Sequence, residues 1–202
     1  VEFRLPPLNG SGLAVSELIE NYSKYEVPAK LEAAAELARK LIAKGEKVIL
    51  WSSFIHNLKT LEAMLSEFQP RVIHGMIARD ESEDLDVNRE KLIDQFKTKE
   101  EFPLLIANPG ACAESISLHR VCKQAIYCDR SFNGAQYMQS LDRIHRLGMK
   151  PDDKVNYYLL GSAGTVDEIV DIRLRDKQER LTKLLEGDLE TVDLDDSGVS
   201  AA

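Results

Sequence analysis

The amino-acid sequence predicts an α/β domain built on a parallel sheet of five or more strands, with helices on both faces. Short apolar runs alternate along the chain with longer segments of helical periodicity. The runs are continuously apolar, as in strands that are buried on both faces. Helices between successive strands provide the crossovers that parallel pairing needs. The length of 202 residues suits one such domain with short flanking segments.

The first helix and the first strand show this alternation most clearly. Residues 28–44 are rich in strong helix formers and place Leu and Ala on one face. Pro28 suits the first turn of the helix, and Gly45 suits its C-terminal end. The apolar run at 47–51 then predicts a buried strand, and we expect Trp51 to belong to the core.

The remaining elements repeat the pattern. Thr165 and Glu168 form a capping box that marks the start of the final helix. In parallel sheets, functional residues collect in the loops beyond the carboxyl ends of the strands. The other predicted strands cover residues 71–74, 104–107, 124–128 and 155–160, and the other predicted helices cover 55–67, 87–96, 135–147 and 165–185.

Two flanking segments differ from the domain in composition. Residues 1–27 contain several Pro and Gly residues and are predicted to be an irregular leading segment or linker before a domain at 28–186. Residues 187–202 form an acidic tail with too little apolar content to fold. The net charge of −8 comes mainly from this tail and Glu186, so the domain itself is close to neutral. Such a domain should bind nucleic acid only weakly by itself, because that binding depends on clustered Lys and Arg.

Other features of composition limit the class of protein. The three cysteines lack CxxC spacing and the four histidines form no metal-ligand pattern, so we expect buried thiols in a reducing cytoplasm and no metal site. No apolar run approaches the ~20 residues that cross a bilayer, so we expect no membrane partner. Because the chain begins at Val1, we also expect it to be a segment of a longer protein.

The segment richest in candidate functional residues is 139–148. Gln139, Arg143 and Arg146 are spaced i, i+4 and i+7, so on a continuous helix they share one face. Two guanidinium groups and an amide on one face suit a polyphosphate, because arginine is always charged and offers a planar fork of donors. The alternative is an ordinary surface helix whose arginines pair with acidic side chains.

This segment resembles motif VI of superfamily-two helicases, which has the form Gln-x-x-x-Arg-x-x-Arg. Its Arg-x-His-Arg-x-Gly ending is similar to the Swi/Snf form in particular. The order of the neighbouring blocks agrees, since residues 47–54 resemble motif IV, 104–119 occupy the place of motif V, and the strand before motif VI ends in Asp129. The resemblance covers about residues 28–175.

The resemblance implies a RecA-like fold, and it implies that this chain is the second lobe of an ATP-driven motor. Arg143 and Arg146 would then face ATP, bound with Mg²⁺ mainly on an absent N-terminal RecA-like lobe, and act as arginine fingers. Such a finger is typically worth about 10³–10⁵ in rate. Gln139 and Gly110 are the further candidates for nucleotide contact.

The same resemblance implies double-stranded DNA as the second partner. The candidates for contact with the DNA backbone lie at or just after the ends of three predicted strands, and they are Ser52, Ser53, His74, Gly75 and Asn108. The stretch at 111–118 has fewer glycines than motif V usually has, and Glu114 and Ser115 resemble the form of a divergent bacterial branch. We therefore expect a bacterial, cytoplasmic protein.

The sequence contains no G-x-x-x-x-G-K-[ST] phosphate loop, so we do not expect this chain to hydrolyse ATP alone. Two alternatives stay open. One is an RNA-dependent superfamily-two ATPase, and the other is a non-catalytic interaction module that keeps the fold. A nucleotide-binding domain of the Rossmann type is disfavoured, because no glycine-rich loop follows the first strand.

Overall fold

The computed structural model describes residues 27–75, 89–111, 117–145 and 154–186, and the predicted acidic tail at 187–202 lies outside them, as do residues 1–26. The predicted alternation of strands and helices is confirmed. The elements are α1 (Ala29–Ile42), β1 (Val48–Trp51), α2 (Ile55–Met64), a 3-10 turn (Ser66–Phe68), β2 (Arg71–Ile73), α3 (Arg89–Thr98), β3 (Leu104–Ala107), β4 (Gln124–Tyr127), α4 (Gly134–Leu141), β5 (Asn156–Leu159) and α5 (Val166–Glu186).

All five strands pair in parallel, in the order β2-β3-β1-β4-β5. The last residue of β1, Trp51, is level with Ala107 of β3 on one side and with Tyr127 of β4 on the other. Ile73 of β2 is also level with Ala107. The loops that follow these four strands therefore begin side by side at one edge of the sheet.

Two apolar layers cover the two faces of the sheet, as predicted. Residues alternate between the layers along each strand, since successive side chains of a strand point to opposite faces. Val48 and Leu50 pack with α1 and α2, whereas Ile49 and Trp51 pack with α3 and the chain around Ile144. Trp51 is only 1% exposed, which confirms that it belongs to the core.

The end of α4 differs from the prediction. The helix ends at Leu141 instead of 147, and residues 142–144 form turns. The backbone N–H groups of Arg143 and Ile144 donate to carbonyl oxygens three residues earlier (3.3 Å each), so the chain tightens into turns. The carbonyl oxygen of Arg143 accepts a hydrogen bond from the backbone N–H of Leu118 (2.8 Å). The prediction that Gln139 and Arg143 share one face of a continuous helix is therefore wrong. Arg146 lies outside the described residues.

The last helix, α5, is tied to the rest of the domain by charged contacts. Asp167 pairs with Lys30 of α1 (2.5 Å), and Asp171 pairs with Arg130 in the loop after β4 (2.6 Å). Lys177 donates to the carbonyl oxygen of Phe132 in the same loop (2.6 Å). Two apolar side chains of α5, at 170 and 174, are buried. The helix thus holds the loop that leads from β4 into α4.

The start of α5 has a variant of the predicted capping box. Thr165 Oγ1 accepts from the N–H of Asp167 (3.3 Å), and the carboxylate of Glu168 accepts from the N–H of Gly164 (3.0 Å). The first contact satisfies a backbone donor of the first helical turn, and the second holds the backbone just before the helix. Among the helices of the described residues, none is long and apolar enough to cross a membrane.

Candidate functional site

Polar residues from three strand ends form one connected set of hydrogen bonds, which we call the edge network. Its strands are β1, β3 and β4, which are neighbours in the sheet and end level with one another. Parallel strands bring their carboxyl ends to the same edge, where loops from distant parts of the sequence can meet. The residues of the edge network are Ser52, Ser53, Asn57, Asn108, Gly110 and Asp129.

The buried carboxylate of Asp129 joins β4 to the loop after β1. Its Oδ2 accepts hydrogen bonds from Ser52 Oγ (2.5 Å) and from Asn57 Nδ2 (3.1 Å). Its Oδ1 accepts from the backbone N–H of Ser53 (2.7 Å). A carboxylate accepts hydrogen bonds and donates none, so these three donors suit it. Bonds to an ionised acceptor are also stronger than bonds between neutral groups.

A second group of hydrogen bonds joins the loop after β1 to the loop after β3. Asn108 Nδ2 donates to the carbonyl oxygen of Ser53 (2.9 Å), and Asn108 Oδ1 accepts from the N–H of Gly110 (2.9 Å). The backbone N–H of Asn108 donates to the carbonyl oxygen of Ile73 (2.9 Å). The loop after β3 is therefore attached to the ends of both neighbouring strands.

Gly110 lies directly against Gln136, near the start of α4. A Cβ atom at position 110 would lie 3.1 Å from Gln136 Nε2 and 3.2 Å from Asn108 Oδ1. Both distances are shorter than most van der Waals contacts of real Cβ atoms. The absence of a side chain at 110 thus allows the loop after β3 to approach α4 closely.

Several contacts fix the position of α4. Asn133 caps its first turn by accepting a hydrogen bond from the N–H of Gln136 (3.2 Å). Within the helix, Ser140 Oγ bonds to the buried hydroxyl of Tyr127 on β4 (2.7 Å). The hydroxyl of Tyr157 on β5 donates to the carbonyl oxygen of Leu141 (2.9 Å), the last residue of the helix. The helix that carries Gln139 is therefore held at its start, in its second half and at its end.

The predicted site residues fall into two groups. Ser53, Asn108 and Gly110 meet in the edge network, and the turn at 74–75 follows β2 beside them. Gln139 is exposed on α4, and Arg143 is half-buried in the turn after it, so the structure does not bring these two into the edge network.

The structure also corrects the expectation for Ser52. This residue has no exposed surface, and its hydroxyl is bound to Asp129, so it does not present a phosphate contact in this arrangement. The N–H of Gly110 is likewise engaged, by Asn108. Ser53, which is half-buried, remains the candidate in the loop after β1.

Sequence reasoning missed three residues of this region. The sequence marks Asp129 only as the end of a strand, and its motifs do not single out Asn57 or Gln136. The available signal was a polar or charged residue directly after an apolar strand, at 52, 108 and 129. That spacing does not reveal which strands are neighbours, so it could not identify the hydrogen-bond partners.

The ion pairs of α5 change the acidity of two carboxyl groups. The hydrogen bond and charge of Arg130 lower the pKa of Asp171. For Asp167, burial acts to raise the pKa, but hydrogen bonds from Lys30 and from the N–H of Ser162 outweigh it, so the pKa is lowered. Both side chains are therefore ionised at neutral pH and can hold α5 in place.

The pKa values of the buried thiols shift in the opposite direction. Burial raises the pKa of Cys122 to about 12, and burial raises the pKa of Cys128 as well. Both groups are protonated at neutral pH and pack as small apolar side chains. Cys112 lies outside the described residues. Within the part of the chain that the structure describes, no group of three or more potential ligands is arranged to hold a metal ion.

The sequence of this domain matches a family model. The model is that of the helicase conserved C-terminal domain, and it covers residues 29–148. The matched stretch contains every element from α1 to α4 and the whole edge network.

Curated proteins with similar sequences include ATP-dependent helicases from fungi and bacteria. The ATP-dependent helicase fft3 of Schizosaccharomyces pombe is 28% identical over 167 residues, which are 83% of this chain and 17% of that protein. The ATP-dependent helicase FUN30 of Saccharomyces cerevisiae is 31% identical over 141 residues, or 69% and 12%. The putative ATP-dependent helicase/translocase YwqA of Bacillus subtilis is 26% identical over 152 residues, or 74% and 15%. The chain thus spans less than a fifth of each relative.

A solved structure shares the fold. The crystal structure of the C-terminal part of the Fun30 ATPase domain superposes with a TM-score of 0.59 at 26% sequence identity. The superposition covers 79% of this chain and 51% of that one. The RecA-like α/β fold predicted from the sequence is therefore confirmed.

Proposed function

This chain belongs to the family of the helicase conserved C-terminal domain, with relatives among the Swi/Snf-type ATP-dependent helicases, and we propose that it is the second motor lobe of a double-stranded DNA translocase. In this proposal the nucleotide lies mainly on an N-terminal RecA-like lobe elsewhere in the same protein. The present lobe contributes arginine side chains to that nucleotide and contacts the DNA backbone.

The observation that carries the proposal is the connection between α4 and the loops after β1 and β3. The loops reach α4 through the contact of Gly110 with Gln136, and α4 leads into the turn that carries Arg143. A motor needs its nucleotide-facing and DNA-facing parts to move together. A helix and loops in direct contact supply such a coupling within one lobe.

The DNA-facing residues of the proposal lie at the carboxyl edge of the sheet. Ser53 and Asn108 are half-buried, so part of each side chain reaches the surface there. The turn of His74 and Gly75 lies at the end of the neighbouring strand. Backbone and short polar side chains of this kind contact phosphates without reading the base sequence. Such contacts suit movement along a duplex, since every position of the track offers the same backbone.

The nucleotide-facing residues of the proposal are Gln139, Arg143 and Arg146. The side chain of Gln139 is exposed, and Arg143 follows within one turn of the end of α4, so both are compatible with a ligand beyond this lobe. Guanidinium groups placed against ATP would stabilise the negative charge that develops on the γ-phosphate during transfer. Mg²⁺ would be held mainly by the other lobe.

The test is the ATPase activity of the full native polypeptide, measured with and without duplex DNA. We expect DNA to stimulate turnover, and we expect Arg146→Ala to lower kcat by at least about 10³-fold, the lower end for an arginine finger. Arg173→Ala, which removes an exposed arginine of α5, is the matched control and should leave kcat unchanged. A parallel series with single-stranded and double-stranded RNA separates the two classes of nucleic acid.

Two results would contradict the proposal. Stimulation by RNA and not by duplex DNA would assign the protein to the RNA-dependent superfamily-two ATPases. Absence of any nucleic-acid-stimulated turnover in the full polypeptide would favour a non-catalytic interaction module with the same fold.

A further inference from the structure

We infer that Asp129 is a positioning residue that holds the loops after β1 and β3 in the arrangement that binds DNA. The inference rests on the proposed function, and it assigns a role to a side chain that would touch neither DNA nor nucleotide. Asp129 is only 5% exposed, so its carboxylate is sheltered from a ligand at the surface.

The first argument is that the buried carboxylate is hydrogen-bonded by neutral groups among the described residues. Its hydrogen-bond partners in the described part of the chain are a hydroxyl, a backbone N–H and a side-chain amide, from Ser52, Ser53 and Asn57. Burying a charge costs free energy unless it is well hydrogen-bonded. A buried carboxylate that relies on these neutral donors therefore imposes a strict geometry on them, because each lost donor leaves a charge poorly solvated.

The second argument is that this geometry extends beyond the loop after β1. Ser53 is held from two sides, because its N–H donates to Asp129 and its carbonyl oxygen accepts from Asn108. Asn108 in turn holds the N–H of Gly110. The orientation of Ser53 thus determines where the side chain of Asn108 is bound. Loss of the carboxylate would release both loops, although Asp129 contacts only one of them.

The third argument is the position of Asp129 in the chain. Arg130 follows it directly and pairs with Asp171 of α5 (2.6 Å). The cap residue of α4, Asn133, follows three residues later. Asp129 therefore lies between β4 and the segment leading into α4, and its carboxylate reaches back to the neighbouring strand. Asp129 is therefore placed to fix the position of the DNA-facing loops relative to α4.

A carboxylate exchange between positions 129 and 57 tests this role. Asp129→Asn puts a donor where the network needs an acceptor. Adding Asn57→Asp supplies a carboxylate to that new donor, while the amide oxygen at 129 can still accept from the N–H of Ser53. Asp94→Asn, an exposed position on α3, makes the same chemical change outside the network. All variants are made in the full native polypeptide, and thermal unfolding verifies that each one folds.

The first readout is the ATPase dependence on duplex DNA. We expect Asp129→Asn to raise the apparent KM for DNA about tenfold, the equivalent of one good hydrogen bond to a charged group, and to change the KM for ATP much less. The double variant should recover most of this loss, and Asp94→Asn should show none. An unchanged KM for DNA in a DNA-stimulated parent would overturn the inference and leave the proposed function intact.

The second readout does not depend on activity. Amide hydrogen exchange of the peptides that cover residues 52–54 and 108–111 should become faster in Asp129→Asn and slower again in the double variant. Faster exchange in both peptides would support the positioning role even if DNA failed to stimulate the parent, a result that would contradict the proposed function. Unchanged exchange at 108–111 would overturn the inference, because the second loop would then be independent of the carboxylate.

Discussion

At the scale of single residues, hydrogen-bond chemistry decides the arrangement of the edge network. The pair of Ser52 and Asp129 shows this, since a hydroxyl that could contact a ligand is instead bound to a buried carboxylate (2.5 Å). Asn108 uses both ends of its amide, one as a donor and one as an acceptor. A carboxylate only accepts hydrogen bonds, whereas a side-chain amide both donates and accepts them. A single change of Asp to Asn, or of Asn to Asp, therefore alters these contacts.

Gly110 gives a prediction at this scale. Gly110→Ala should destabilise the chain by about 1 kcal/mol, because the new Cβ crowds Gln136 Nε2 at 3.1 Å. Gln136→Ala removes that neighbour and should cost less in the Gly110→Ala background than in the parent. Urea unfolding of the four proteins measures the coupling.

Gly75→Ala is the matched control, because a Cβ at position 75 has no atom within 4 Å. It should leave stability unchanged or raise it slightly, since alanine restricts the unfolded chain. Equal effects of Gln136→Ala in both backgrounds would show that positions 110 and 136 are not in contact.

At the scale of elements, α5 is attached by apolar packing and by ion pairs. Val170 and Leu174 are its buried apolar side chains among the described ones, whereas Val166, Ile169 and Ile172 are 55–60% exposed. Ion pairs contribute only while both partners are ionised, whereas apolar packing does not depend on ionisation. The attachment of α5 should therefore respond to pH more than the sheet does.

The acid response follows from the lowered pKa values of Asp167 and Asp171. A carboxyl group whose folded pKa lies below its unfolded value of about 3.9 contributes its full stability above that value and loses it as the pH falls through the folded pKa. The protection factors of the amides within residues 170–174, which are corrected for the intrinsic pH dependence of exchange, should therefore fall below about pH 4. The sheet strands should keep their protection at that pH.

A variant separates the ion pair from general acid unfolding. Asp171→Asn should show fast exchange in α5 already at neutral pH and a smaller further change on acidification, with Lys30 and Asp167 accounting for the remainder. Simultaneous loss of protection in α5 and in β1 would mean that α5 has no separate attachment.

At the scale of the whole molecule, the doubly covered sheet determines stability. The central strands β1, β3 and β4 are buried throughout, whereas the edge strand β5 is exposed at both ends. A side chain of the same type should therefore contribute very differently in β1 and in β5.

Two leucine truncations test this difference. Leu50→Ala in β1 should lower the free energy of unfolding by about 2–5 kcal/mol, because Leu50 is fully buried and the cavity cannot collapse easily. Leu159→Ala in β5 should change it by about 0.5 kcal/mol or less, because Leu159 is 43% exposed. Denaturant unfolding at equilibrium measures both, and similar losses would contradict the strand order β2-β3-β1-β4-β5.

Much of the fold followed from the sequence because its determinants are local. Continuous apolar runs predicted all five strands. The core position of Trp51 followed from its place at the end of such a run. The family resemblance located Gln139, Arg143 and Arg146 from their spacing, and the family itself is confirmed. The roles of these three residues and of Gly110 remain predictions.

The contacts between strand ends required the tertiary structure. Ser52 and Asp129 are 77 residues apart, and only the order β3-β1-β4 makes them neighbours. The turn after α4 is bonded to a distant segment through Arg143 and Leu118, a contact that helix propensity does not contain. Periodicity and propensity report the environment of a residue along its own segment. The partner of a buried polar group is set by which segments pack side by side, and that is decided only when the whole sheet has formed.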